Sequence, residues 1–193
     1  MPVHRFRTIM AIALCLGPGA AMAAEQRAID VERSTLTVLV YKAGLFSAFA
    51  DNHVIRAPIA GGSVTTDRPA AVQLSVRAAT LLVLDPDLSV EKRADVQARM
   101  LGPEVLDSQK YPDITFASTS IESLGSDRWS VHGRLTIHGE TQSTTLSVTL
   151  QDGRYRGRMV LKQRDFGIRP ISIMGGTVKV KDELAVEFDI APR

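Results

Sequence analysis

Apolar and polar residues alternate along most of the chain beyond residue 34. The clearest apolar sets are Leu36, Val38 and Val40; Val72, Leu74 and Val76; Trp129, Val131, Leu135 and Ile137; Leu146, Val148 and Leu150; Tyr155, Met159 and Leu161; and Leu184, Val186, Phe188 and Ile190. Successive side chains of a strand point to opposite faces, so each set predicts a half-buried strand. Weaker alternation covers residues 53–64, 114–121 and 177–181, the first interrupted by Pro58 and by Gly61-Gly62. Proline cannot donate to a ladder, so Pro58 predicts an edge or a bulge. The total is about eight or nine strands. Short turns such as Gly125-Ser126-Asp127-Arg128 and Gln151-Asp152-Gly153-Arg154 link them, which predicts an antiparallel meander.

One segment departs from the period of two. Over residues 89–101, Val90, Ala94, Gln97 and Leu101 fall on one side of a helix, Glu91, Lys92, Asp95 and Arg99 point away, and Gly102-Pro103 ends it. There is no internal repeat or linker, so one domain is expected. Strands with one apolar face each can stack as a two-sheet sandwich or close as a barrel. Periodicity alone leaves both open.

Composition first changes the picture at the start of the chain. Arg5 and Arg7, an apolar run from Ile9 to Leu16 and small residues ending in Ala21-Met22-Ala23 read as a secretory signal peptide over residues 1–23. Residues 24–193 then form the folded domain, expected in the periplasm. The sole cysteine, Cys15, lies inside the signal, where Leu14 precedes it instead of the small residue a lipoprotein cleavage site needs. The expected mature chain therefore has no disulfide framework and no thiol chemistry. The chain has 23 Lys and Arg against 21 Asp and Glu, so losing Arg5 and Arg7 leaves it formally neutral. A nucleic-acid partner is not expected, because such affinity rests on surplus cations meeting phosphates.

Candidate chemistry is sparse. His132 and His138 on one strand face would lie roughly 20 Å apart at about 3.3 Å per residue, too far to share a metal, and read as exposed polar-face residues. His53, close to Asp51, reads as a turn residue first and as a ligand or base second. Asp182-Glu183 fall at a predicted turn, and adjacent strand residues point to opposite faces, so the pair is poorly placed to act on one substrate. No nucleophile elbow, zinc-binding helix or phosphate loop occurs, so no catalytic residue and no metal are assigned. Arg154, Arg156 and Arg158 alternate along one strand, either as a solvated face or as a strip meeting anionic headgroups. Phe166, Ile168, Ile171, Ile173 and Met174 sit in a non-alternating connection. They either pack back onto the domain or cover an apolar lumen.

Several stretches taken together resemble the YceI-like polyisoprenoid-binding family, secreted bacterial proteins with a lipocalin-like barrel. They are Ile29-Asp30 with Ser34; Gly62 ahead of a strand; Tyr111-Pro112 before Ile114, Phe116 and Ser118; Gly133, Leu135, Thr136, Gly139 and Thr141; and Arg164 to Ile168. The chain departs from the family pattern at Tyr41-Lys42, where a histidine is common, and at Val105-Leu106, where aromatics are common.

The resemblance implies an all-β fold, an antiparallel eight-stranded lipocalin-like barrel with one helix inserted between strands. It also implies a tunnel for an extended isoprenoid chain such as a quinone tail or polyprenyl lipid. Such a protein needs no cofactor and no catalytic group. The expected lining is Val38, Val40, Leu74, Val76, Phe116, Leu135, Ile137, Leu146, Val148, Leu184 and Val186, with Phe46, Phe49, Phe166 and Ile168 at the openings. Its partners would be the lipid itself and transient contacts with a membrane surface or membrane protein. A homodimer would suit a long ligand. The competing readings are a solid barrel acting as an interaction module and an enzyme using His53 with Asp51.

Overall fold

The computed structural model describes residues 25–43, 52–67, 70–173 and 178–193. Short opening strand β1 (Gln26–Ala28) is followed by β2 (Thr35–Ala43), β3 (His53–Arg56), β4 (Ile59–Thr65) and β5 (Ala71–Arg77). A two-residue strand, β6 (Leu82–Val83), precedes helix α1 (Val90–Leu101). The rest are β7 (Asp113–Ser123), β8 (Arg128–Ile137), β9 (Glu140–Gln151), β10 (Arg154–Lys162), β11 (Ser172–Ile173) and β12 (Val178–Ile190).

All pairings are antiparallel, and neighbours run β1-β4-β5-β7-β8-β9-β10-β12-β2-β3-β6. Although β3 and β4 fall near opposite ends of this order, only Ala57-Pro58 separates them in the chain. The ribbon 53–65 is therefore one bent stave that pairs with β2 through its first half and with β5 through its second. Pro58 marks the bend, where the Ala57 amide donates to the Leu36 carbonyl, and a register shift follows between Ile59 and Gly61. Counted this way, eight described staves close a ring: β2, the bent ribbon, β5, β7, β8, β9, β10 and β12. The sandwich alternative is excluded by this closure.

A second seam ties the two ends of the described chain. Ile29 bridges Pro192, the Asp30 amide donates to Ala191, and the Arg193 amide donates to Ala28. Around it Ile29, Ile59, Val64 and Ile190 pack with Tyr155 and Phe188. The opposite end is covered by α1 and the segment after it, where Met100 and Leu106 are buried against Val76, Leu81, Val83 and Phe116.

Several expectations are corrected. Residues 177–181 and 184–190 do not form two strands: described residues 178–190 make the single strand β12, with a register shift between Val180 and Leu184. Asp182 and Glu183 lie within that irregularity instead of a turn, and Asp182 accepts from the Arg164 amide. The helix docks through only the second half of the expected face, by Gln97 and Leu101. Val90 is 69% exposed and Ala94 is exposed, whereas Val96, Met100 and Leu101 pack inward. The reason lies in the polar dock: Gln97 accepts from the Val83 amide and donates to the Leu81 carbonyl, so the second half of α1 sits on β6 and its first turn projects beyond it. His138 leaves the strand face, with φ of 52° beside Gly139 at 79°, the left-handed pair of a tight hairpin turn.

Candidate functional site

Inside the staves lies a cavity of about 990 Å³, lined from Tyr41, Lys42, His53 and Lys179 near the helix-covered end to Thr65, Thr66 and Ile190 near the seam. It exists because each stave turns one apolar stripe inward. Register keeps the stripes aligned: Val38 stands opposite both Ile55 and Val186, Val40 opposite both His53 and Leu184, Leu74 opposite Phe116, and Phe116 opposite Leu135. Cross-strand partners share a face, so one inward residue fixes its neighbours.

The decisive feature is what those stripes do not touch. Val38, Val40, Leu74, Ile137, Leu146, Val148, Met159 and Leu161 are only partly buried although they face the interior. In a solid core at close-packed density such side chains would be enclosed by neighbours. Here their open surface is the wall of the void.

Of the expected lining, Val38, Val40, Leu74, Val76, Phe116, Leu135, Ile137, Leu146, Val148, Leu184 and Val186 all contribute to this wall. Phe166 and Ile168 also reach it, but as residues 3% and 6% exposed, in and just after the 3₁₀ turn Gln163–Phe166. That turn is fixed by Gly167 at φ 71° and by Gln163, which donates to the Lys181 carbonyl. Ile171 lines the wall too. Phe46, Phe49, Asp51 and Met174 lie outside the described residues, as does the side chain of Ile173.

Two glycines make room for rings that line the wall. A Cβ on Gly133 would overlap the Phe116 ring, and one on Gly157 would overlap the Phe188 ring. Both aromatics therefore lie flat against bare backbone on a neighbouring stave.

Among the described residues His53 has a carboxylate partner that the sequence did not suggest. His53 sits at the start of β3, and its carboxylate partner is Asp85, 2.6 Å from Nδ1. Asp85 is 4% exposed and also accepts from the Val54 amide. His132 is on the outer face, bonded to Thr145, and His138 approaches the Phe166 carbonyl and lies tilted against the Tyr111 ring. Among the described residues no group of three His, Cys, Asp or Glu could hold a metal ion.

The arginine strip is also differently disposed. Arg154 and Arg156 both bond Asp189, Arg156 is within 3.7 Å of Asp152, and Arg158 approaches Glu187 and the Tyr41 hydroxyl. Burial pushes the Asp189 pKa up, but the two arginines outweigh it and the net direction is down. Every cation of the strip thus has a carboxylate neighbour.

The model of the YceI-like domain matches residues 28–191. The chain belongs to the YceI-like family. This family is one of binding proteins. Its relatives include a UPF0312 protein of Pseudomonas putida, 33% identical over 86 residues, covering 39% of this chain and 45% of the relative. Another is a UPF0312 protein of Vibrio cholerae, 29% identical over 104 residues, covering 49% of this chain and 53% of the relative. The chain spans about half the length of the curated relatives it matches. Among solved structures it is similar to Burkholderia cenocepacia BcnA, with a TM-score of 0.65 at 20% identity over 84% of this chain and 98% of that one. It is also similar to a mutant YCEI protein of Campylobacter jejuni, with a TM-score of 0.52 at 15% identity over 68% and 80%. These likenesses support the YceI-like barrel as the fold.

Proposed function

We propose that this YceI-like barrel holds an isoprenoid or similar amphipathic lipid, of quinone or polyprenyl type, for transport, storage or sequestration. The observation that carries the reading is a cavity of about 990 Å³ walled by apolar side chains that stay only partly buried. The volume lies at the upper end of what small-molecule sites enclose, roughly 300–1,000 Å³. Each methylene removed from water contributes about 0.8 kcal/mol, so a few isoprene units offset the cost of ordering a flexible chain. Such a void weighs against a barrel filled by its own side chains and acting only as an interaction module.

The basic start, apolar run and small residues of 1–23 read as a cleavable leader, which supports a periplasmic site of action. Cell fractionation with N-terminal sequencing tests it, the expected first residue being Ala24.

Native mass spectrometry of gently purified protein, followed by lipid extraction, tests the binding role. A co-purified hydrocarbon-tailed molecule is expected. Titration with ubiquinone should quench Trp129, which lines the cavity. A chain that is empty on purification and takes up neither quinones nor polyprenols would refute the carrier reading.

A further inference from the structure

The wall of the cavity is apolar almost throughout, yet it contains one histidine, hydrogen-bonded to a buried carboxylate. His53 stands opposite Val40, a wall residue, and itself lines the cavity. Its Nδ1 lies 2.6 Å from Asp85 Oδ2, while Asp85 Oδ1 accepts from the Val54 amide at 2.8 Å. An ionised carboxylate offers only acceptors, so the proton between the two side chains belongs to His53 Nδ1. In its neutral form an imidazole has one donor and one acceptor, so with the proton on Nδ1 the neutral ring presents Nε2 as an acceptor, whereas a doubly protonated ring would donate from both nitrogens. No described residue bonds Nε2. In the neutral ring this second edge is an acceptor in a greasy pocket near the end of the cavity where Lys42 and Lys179 also stand.

We infer that His53 Nε2 anchors the hydroxyl head of the guest, a prenol or hydroquinone O–H, with Asp85 as a positioning residue that fixes the tautomer. This rests on the carrier reading above and adds a polarity to it: tail along the wall, donor group at His53. Buried polar groups discriminate strongly because a guest that cannot complete the hydrogen bond leaves one unmade.

A matched pair of probes tests it, geranylgeraniol and its methyl ether, which share a tail and differ in the hydroxyl proton. In competition read by native mass spectrometry, the parent protein should prefer the alcohol by about three- to tenfold, the equivalent of one hydrogen bond. Asp85→Asn keeps an oxygen for the Val54 amide but turns an NH2 group toward His53 Nδ1, moving the ring proton to Nε2. That variant should lose or reverse the preference while still binding both probes, a change that a merely structural Asp85 would not produce. If Asp85→Asn does not give the parent's cooperative melt, the double variant His53→Leu with Asp85→Asn should bind both probes equally. Equal binding of the probes by the parent, or an unchanged preference in the variant that folds, overturns the inference and leaves the carrier reading intact. Failure of the parent to bind either probe while it takes up ubiquinone overturns the inference alone, and failure with ubiquinone as well overturns both.

Discussion

The Phe188 ring lies across the bare backbone of Gly157, its cross-strand partner on β10. A side chain at 157 would meet both that ring and the Ser147 carbonyl oxygen, and backbone cannot give way as a flexible side chain can. Gly157→Ala should therefore destabilise by about 1–3 kcal/mol, typical of overpacking, and lower Tm by roughly 2–4 °C per kcal/mol. Thermal unfolding checks it. An unchanged Tm would mean that the ring is free to swing aside.

Val148 faces the void from β9 and is only partly buried. Val148→Trp should fill space instead of straining a packed core, so stability should hold to within about 1 kcal/mol of the parent. Tail burial should suffer: losing room for even two methylenes weakens a long-chain guest by about tenfold. Urea unfolding alongside a ubiquinone titration separates the effects, and undiminished uptake would place the tail elsewhere.

Gln97 joins α1 to the sheet edge by accepting from Val83 and donating to Leu81. Gln97→Leu leaves both backbone groups without these bonds at a largely covered edge, with an expected cost of about 1–3 kcal/mol. Hydrogen exchange should rise at Val83 and along α1 before it rises in β8 or β9. Uniform exchange across the barrel would show that the helix is not a separate opening unit.

Asp189 is held below the ordinary carboxylate range because Arg154 and Arg156 outweigh the effect of burial. A depressed folded pKa contributes stability that is fully present above the unfolded value of about 3.9 and is lost as pH falls through the lower folded value. Asp189→Asn should flatten the acid limb of the stability curve below about pH 4 and leave its shape near neutrality unaltered. Urea midpoints across that range decide the matter, and parallel curves would deny the ion pairs a role.

What was legible in the sequence follows from range. The staves were readable because the contrast between their faces is local, and the turns because Asp152-Gly153 has its own backbone preference. The barrel required the resemblance, since nothing at Pro58 alone says that one ribbon serves two neighbours. Only the first half of the helix face departs from its pattern, because Val90 and Ala94 carry the same 3.6-residue spacing as the packed Gln97 and Leu101, and Gln97's long-range dock decides between them. His53 was noticed, but its partner is 32 positions away. The strip at 154–158 looked cationic because Asp189 and Glu187 reach it across a strand pairing that no local pattern announces. Likewise, a glycine inside an alternating strand reads as a weakness until the ring that needs it is found on the next stave.

The seam between residues 28–30 and 191–193 brings the two extremities of the domain within backbone bonding distance. The molecule is in effect a hoop fastened by its own tips. Trimming the last three residues with a carboxypeptidase should loosen the hoop, whereas a short peptide tether from 193 to 25, with the chain reopened at the exposed Gly125 turn, should yield a circular permutant that folds.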